Sequence, residues 1–335
     1  MGEIADLRVH KVAVPEGQEQ AMVDLLTQDP RVEYAELDHL VHATIIPNDP
    51  SYDLQWGPSK IKAPAAWDVT KGSSAIIIAI VDTGVDLDHR DLNDKIVPGW
   101  DFANDDPTPQ DDHGHGTHVA GIAAAETNNG IGVAGISWQA RIMPVKVLDE
   151  NGDGSYWDVT QGVDYACNHG AQIINLSLGG STPSDTLEDA MEQAYADGCL
   201  IVAAAGNGGG DFVDYPARFP EVMAVAATDE SDNRAGFSDY GPEVEVAAPG
   251  VNIYSTLWND KYGWKSGTSM AAPHVAGQAA LIWSVCPDPT HEEVRSIIDS
   301  TADDRGASGW DPYYGYGRIN AVAAVQAATP ALTLP

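Results

Sequence analysis

The sequence predicts an α/β fold: a mostly parallel central sheet with helices on both faces, preceded by a small α+β unit. Two observations lead there. From about Ala75 onward, short apolar runs rich in β-branched residues and bounded by glycine alternate with segments of helical period, the pattern of strands buried on both faces. Polar residues close several of these runs at their C-terminal ends, where open α/β sheets carry their sites. With 335 residues and 43% hydrophobic content, the chain can bury one large core and support a small accessory unit.

The elements follow in order. Residues 8 to 42 read as the small unit: an alternating strand Arg8–Val14, an amphipathic helix Gln18–Leu26 and a second strand Val32–Leu37. Two strands and a helix bury too little to fold alone. The proline-bracketed polar run Ile46-Pro47-Asn48-Asp49-Pro50-Ser51 marks a linker. Strands are then expected at Ala75–Val81, Arg141–Val147, Gln172–Leu178, Cys199–Ala205 and Val222–Ala227. Helices are expected near Gly116–Ala125, Trp157–Asn168, Thr186–Asp197 and Ser269–Val285.

Charge excludes some partners. The net charge of -33, from 50 acidic against 17 basic residues, repels nucleic acid and anionic membranes and fits a solvated acidic surface. No apolar stretch is long enough to span a bilayer, and Met1–Asp6 lacks the basic and apolar regions of a signal peptide. Cys167 and Cys199 each end a helix-like segment before an apolar strand; one bridge and two buried thiols are both open readings. Cys286, before Pro287, reads as structural.

Four stretches carry chemistry. Ile80-Val81-Asp82-Thr83-Gly84-Val85 ends the first strand of the large domain. Asp-Thr-Gly also occurs in aspartic proteases, but those need a second such carboxylate in an all-β setting, and Asp82 has neither. His113-Gly114-His115-Gly116-Thr117-His118-Val119-Ala120-Gly121 opens a helix beside clustered imidazoles. The His-Glu-x-x-His spacing of a zinc hydrolase is absent, and His115 reads better as a general base. Ser266-Gly267-Thr268-Ser269-Met270-Ala271-Ala272-Pro273-His274-Val275-Ala276-Gly277 sets Ser269 at the start of a long apolar helix, where free N–H groups favour a developing oxyanion. Taken alone, Ser269 would read as an N-cap. Ala203-Ala204-Ala205-Gly206-Asn207-Gly208 ends a strand with an Asn that is either a turn residue or an oxyanion donor.

In that order the four stretches resemble the signatures of the subtilisin-like serine proteases, over about residues 47 to 328. Asn48-Asp49-Pro50 and Trp100-Asp101-Phe102 resemble the thermitase branch most. The resemblance implies a serine endopeptidase acting through an acyl-enzyme, with Ser269 as nucleophile, His115 as base and then acid, and Asp82 orienting the imidazole. Asn207 and the Ser269 N–H would hold the oxyanion. Gly152-Asp153-Gly154 and Ser177-Leu178-Gly179 resemble the segments that grip an extended peptide by strand addition. A P1 slot would be lined by Leu178, Gly179, Ala204 and Ala205, and a P4 site would lie near Tyr156 and Val159. Broad cleavage after large apolar or aromatic residues is the expectation.

The resemblance also implies structural calcium and no organic cofactor. Asp49, Asp91 and Asn129, with the carbonyls of Glu126, Ile131 and Val133, match one site; all supply the oxygen a hard cation requires. Asp101, Asp106, Thr108 and Gln110 match a second, with Asn104 where an Asp is usual. Val32–Asp38 resembles the end of an inhibitory propeptide that lacks its first strand and helix. The division implied is a truncated propeptide at 1–43 and a catalytic domain at 44–335, with self-cleavage between His42 and Pro47. The expected protein is a secreted zymogen, monomeric, acting on polypeptides and on its own prosegment, without nucleic-acid or membrane partners.

Overall fold

The computed structural model describes residues 2–15, 17–38, 45–286 and 288–329. The chain divides into two compact units, Met1–Ala43 and Thr44–Pro335.

In the first unit, β1 (Gly2–Ile4) pairs antiparallel with β2 (Val9–Lys11), and α1 (Glu19–Thr27) follows. The strand expected at Val32–Leu37 does not form. Its alternation is a local property, whereas a strand needs a neighbouring edge to take its hydrogen bonds. The strand expected over Arg8–Val14 contracts to three residues whose partner is β1. Among the described residues from 6 to 38 none is buried, so no core among them fixes a longer pairing.

The second unit opens with two short helices, α2 (Trp56–Lys60) and α3 (Ala63–Trp67). Trp67 is fully buried, and its indole N–H reaches the Ile136 carbonyl at 2.9 Å. Then come β3 (Ile77–Asp82), β4 (Trp100–Asp101), α4 (His115–Ala124), β5 (Arg141–Lys146), α5 (Tyr156–Asn168), β6 (Ile173–Leu176), α6 (Asp185–Ala196), β7 (Leu200–Ala204), β8 (Val222–Thr228) and β9 (Val244–Pro249). The hairpin strands β10 (Ile253–Leu257) and β11 (Lys261–Lys265) precede α7 (Thr268–Val285), α8 (His291–Thr301) and α9 (Ala321–Ala328).

Seven strands form one sheet in the order β4-β5-β3-β6-β7-β8-β9, and every pair is parallel. Alternate residues feed two cores. Ile78, Ile80, Leu200 and Val202 pack against α4, α7, α8 and α9 on one face; Ala79, Val81, Ile201 and Ala203 pack against α5 and α6 on the other. Both faces are therefore covered, which is why these strands read as unbroken apolar runs. The side chains of α5 and α6 begin under Ser155 and Ser184, whose hydroxyls accept N–H groups of the first turn.

Cys167 and Cys199 form a disulfide that ties the end of α5 to the residue before β7. Cys286 is free. Among the described residues, no helix is long and apolar enough to cross a membrane.

Candidate active site

Asp82 is the last residue of β3 and is completely buried. Its Oδ1 accepts the Nδ1–H of His115 at 2.7 Å and the Thr83 N–H at 2.7 Å. The first turn of α4 lies this close because residue 116 is glycine: a Cβ there would stand 2.1 Å from the Gly84 carbonyl and 3.1 Å from Asp82 Oδ1. Burial pulls the His115 pKa down, but the charge and hydrogen bond of Asp82 outweigh it, and the net position is above the ordinary histidine value. Asp82 thus holds the ring with Nδ1 protonated and leaves Nε2 as the basic atom.

The start of α4 is held by a residue that carries none of the obvious motif chemistry. Asp111 collects the N–H groups of His113, Gly114 and Thr117 at 3.0, 2.7 and 3.0 Å, and the Thr83 hydroxyl at 2.9 Å. Thr83 Oγ1 in turn accepts the Gly116 N–H at 2.9 Å. An Asp four residues ahead of His115, at a helix start, is the only sequence signal for this role. The three neighbouring histidines do not converge on a metal. His118 is buried, with Nε2 at 3.1 Å from the carbonyls of both Ile253 and Gly263, and burial lowers its pKa to about 3. Among the described residues no three His, Cys, Asp or Glu side chains form a metal site.

Ser269 is the second residue of α7, and Gly267 rather than Ser269 caps the helix. Its Oγ donates to the Ser177 carbonyl at 3.0 Å; no hydrogen bond joins it to His115 in this resting arrangement. Asn207 stands three residues beyond β7. Its Oδ1 accepts the Thr268 N–H at 2.9 Å and the Thr268 hydroxyl at 3.1 Å. That fixes the amide plane and leaves Nδ2, among the described residues, without an acceptor beside the α7 N-terminus.

Two expected substrate-binding segments leave the sheet side by side. Ser177, Leu178 and Gly179 continue from β6, and Ala204 ends β7 with Ala205 after it. Gly180 and Tyr215 exchange N–H···O bonds of 2.9 Å in both directions. On the far side, Asp153 accepts the Asp149 N–H through its carbonyl at 2.8 Å. A Cβ on Gly154 would lie 2.3 Å from the Val147 carbonyl. Tyr156 begins α5 and donates its hydroxyl to the Thr182 carbonyl at 2.8 Å, while Val159 is buried beneath it.

Residues 73–317 match the model of the Subtilase family. The chain belongs to that family. It is 50% identical over 281 residues to thermitase of Thermoactinomyces vulgaris, covering 84% of this chain and 99% of that one. It is 48% identical over 310 residues to a thermophilic serine proteinase of Bacillus sp. strain AK1, covering 92% of this chain and 76% of the other. Both place it near the thermitase branch. A solved protease from Pseudoalteromonas arctica superposes with a TM-score of 0.77 at 37% identity, over 84% of this chain and 99% of that chain. The protein is a serine endopeptidase of the subtilisin type.

In this subtilase the carboxylates of both expected cation sets accept donors from their own segments, and the sets differ in charge and burial. Asp49 and Asp91 are both buried. The Asn128 and Asn129 N–H groups reach the Asp49 carboxylate at 2.8 and 3.1 Å, and Asn129 Nδ2 and the Val133 N–H reach Asp91, each at 2.9 Å. Asn129 Oδ1 accepts the Ile131 N–H at 3.0 Å, and the Glu126 N–H meets the Asp91 carbonyl at 2.8 Å. Burial, with the like charges of Asp49 and Glu126 added, raises the Asp91 pKa to about 7. Two buried carboxylates with no cationic side chain paired to them among the described residues fit a bound cation.

In the second set, both Asp101 oxygens accept from Asn104, its N–H and Nδ2 each at 2.9 Å. Asp106 takes the Thr108 N–H at 2.7 Å, and Gln110 Oε1 takes the Leu87 N–H at 3.1 Å. Asn104, standing where an acid is usual, thus supplies donors where a cation would need one more acceptor.

Proposed function

We propose that this subtilase cleaves extended polypeptides through Ser269, His115 and Asp82. Ser269 Oγ turns from the Ser177 carbonyl toward His115 Nε2, gives up its proton and attacks the scissile carbonyl. Asp82 stabilises the imidazolium through Nδ1. Asn207 Nδ2 and the Ser269 N–H, at the positive end of α7, receive the oxyanion. His115 then protonates the leaving amine, the Ser269 ester forms, and water attacks it by the same route in reverse. The observation that carries this reading is the 2.7 Å Asp82–His115 bond at the start of α4, which packs against α7, the helix with Ser269 as its second residue.

The substrate would add a strand between Gly152-Asp153-Gly154 and Ser177-Leu178-Gly179, so that main-chain bonds hold it and side chains matter little. Leu178, Gly179, Ala204 and Ala205 would give apolar walls that suit a large apolar or aromatic P1 residue, and Tyr156 with Val159 would meet P4. Asp49, Asp91 and Asn129, with the carbonyls of Glu126, Ile131 and Val133, would hold a calcium ion that neutralises the buried carboxylates. The set Asp101, Asp106, Thr108 and Gln110 would bind a second one only weakly.

Residues 1–43 are read as a shortened inhibitory prosegment of a secreted, monomeric zymogen, and 44–335 as the catalytic domain. The processing window between His42 and Pro47 begins in residues 39–44, which lie outside the described residues. The test is the intact mass of the purified chain over time in calcium, wild type beside Ser269→Ala. Loss of an amino-terminal piece ending between His42 and Pro47 from the wild type alone is expected. Equal shortening of both chains would overturn self-processing by Ser269.

A further inference from the structure

We propose that Asp214 forms the floor of the P1 slot and gives this enzyme a preference for cleavage after lysine and arginine. The inference rests on the cleft reading above and adds a charge to a slot whose walls are otherwise apolar.

β6 and β7 are parallel neighbours, in register from Ile173 opposite Leu200 to Leu176 opposite Ala203. The segments that follow them therefore emerge at one sheet edge and bound a narrow space. Residues 213–215 close its far end. The Asp214 N–H bonds the Ala205 carbonyl at 2.9 Å on one wall, and Tyr215 pairs with Gly180 on the other.

The side chain of Asp214 meets glycine on both walls. A Cβ on Gly179 would stand 3.0 Å from Asp214 Cβ, and a Cβ on Gly206 would stand 2.8 Å from Asp214 Oδ2. Gly206 also has φ +114°, a conformation that side chains rarely adopt. Neither position carries a side chain that would screen the carboxylate.

Nor does any partner occupy it. Among the described residues Asp214 accepts no side-chain hydrogen bond and forms no ion pair. The nearby Arg218 is engaged elsewhere, 3.2 Å from Glu243 and stacked 4.4 Å over the Phe212 ring. Asp239 adds a second negative charge, but its own oxygens are taken by the Gly208 and Gly210 N–H groups at 3.0 and 2.8 Å. Partial burial, with the charge of Asp239 added, raises the Asp214 pKa, as expected for a carboxylate that lacks a cation.

Lysine and arginine suit such a slot because their aliphatic stems pack on apolar walls while the charged tip reaches a carboxylate. A P1 phenylalanine fills the walls and leaves Asp214 buried without a partner, which disfavours it relative to a basic residue of similar length.

The experiment compares kcat/KM on chromogenic peptides that differ only at P1, with Phe, Leu, Lys or Arg. It uses the wild type, Asp214→Asn and Asp214→Glu. The wild type should cleave the Lys and Arg peptides at least as well as the Phe peptide. Asp214→Asn should lower the Lys-to-Phe and Arg-to-Phe ratios of kcat/KM by about 10- to 100-fold, with its far-ultraviolet circular dichroism and melting temperature reporting that the variant is folded. Asp214→Glu should retain the basic preference.

The proposal is overturned if the wild type strongly prefers Phe over Lys, or if Asp214→Asn leaves the Lys-to-Phe ratio unchanged; active cleavage in either case leaves the endopeptidase reading standing. Failure of the wild type on all four peptides, with no reaction of Ser269 toward a sulfonyl fluoride, would overturn both.

Discussion

Ser177 and Ser269 clasp each other twice: Ser269 Oγ donates to the Ser177 carbonyl at 3.0 Å, and Ser177 Oγ donates to the Ser269 carbonyl at 2.8 Å. The second bond answers a defect in α7. Pro273, four residues after Ser269, has no N–H to offer that carbonyl, and Ser177 supplies the donor instead. One side chain thus satisfies the helix start and ties Ser269 to the segment that follows β6.

Ser177→Ala should therefore act on stability and rate together. Leaving the part-buried carbonyl without this donor costs about 1 kcal/mol, visible as a melting temperature lower by a few degrees. The loosened Ser269 should lower kcat more than it changes KM. Calorimetry and steady-state kinetics on one peptide check this, and an unchanged melting temperature would remove the argument.

Asn207→Ala should lower kcat and leave KM nearly unchanged, since the role proposed for Nδ2 is to meet charge that exists only in the transition state. Loss of the equivalent donor in a subtilisin costs on the order of 10²–10³ in kcat, and the same range is expected here. A variant that raised KM at constant kcat would assign Asn207 to substrate binding.

The pH profile should report His115. Asp82 raises its pKa despite the opposing effect of burial, so the neutral, working base is lost on acidification at a pH above the ordinary histidine value. The acid limb of kcat/KM should have its midpoint there. Asp82→Asn removes the raising influence and leaves burial, so the midpoint should move down, with kcat reduced on the order of 10⁴-fold. An unmoved midpoint in a folded variant would show that another group titrates.

Removing calcium should lower thermal stability. A ligand at a hundredfold its Kd stabilises the folded state by about 2.7 kcal/mol, and a chelator should take that away. Asp91→Asn should lower the chelator-sensitive part of the melting temperature, whereas Asp106→Asn should change it little because Asn104 puts two donors and no charge in the second set. Equal responses from the two variants would contradict the assignment to Asp49 and Asp91.

Much of the site is legible in the sequence because it lies in short motifs. Asp82 ends an apolar run, His115 opens a helix among small residues, and Ser269 follows a glycine turn; each of these is a local pattern. The parts that are not legible depend on distant segments meeting. Asp111 matters because the fold brings it against Thr83, and Asp214 because residues 213–215 cross between two strand exits.

β4 has two residues and leaves no periodic signal, while β9 ends in Ala-Ala-Pro and β11 carries Gly263 at its centre, which dilutes theirs. Conversely, Val32–Leu37 shows the alternation of a strand but has no edge to pair with. The pairing of Cys167 with Cys199 depends on α5 ending beside the start of β7, a tertiary fact that leaves no trace in their spacing.

The central claim is that Ser269 is the nucleophile, and covalent labelling tests it most directly. Phenylmethylsulfonyl fluoride should add one sulfonyl group to the wild-type chain, located by peptide mass at Ser269, and peptidase activity should fall in step with the labelled fraction. The Ser269→Ala chain should take up no label and show no activity above background. Modification at another residue with loss of activity, or full activity in a chain labelled at Ser269, would contradict the account.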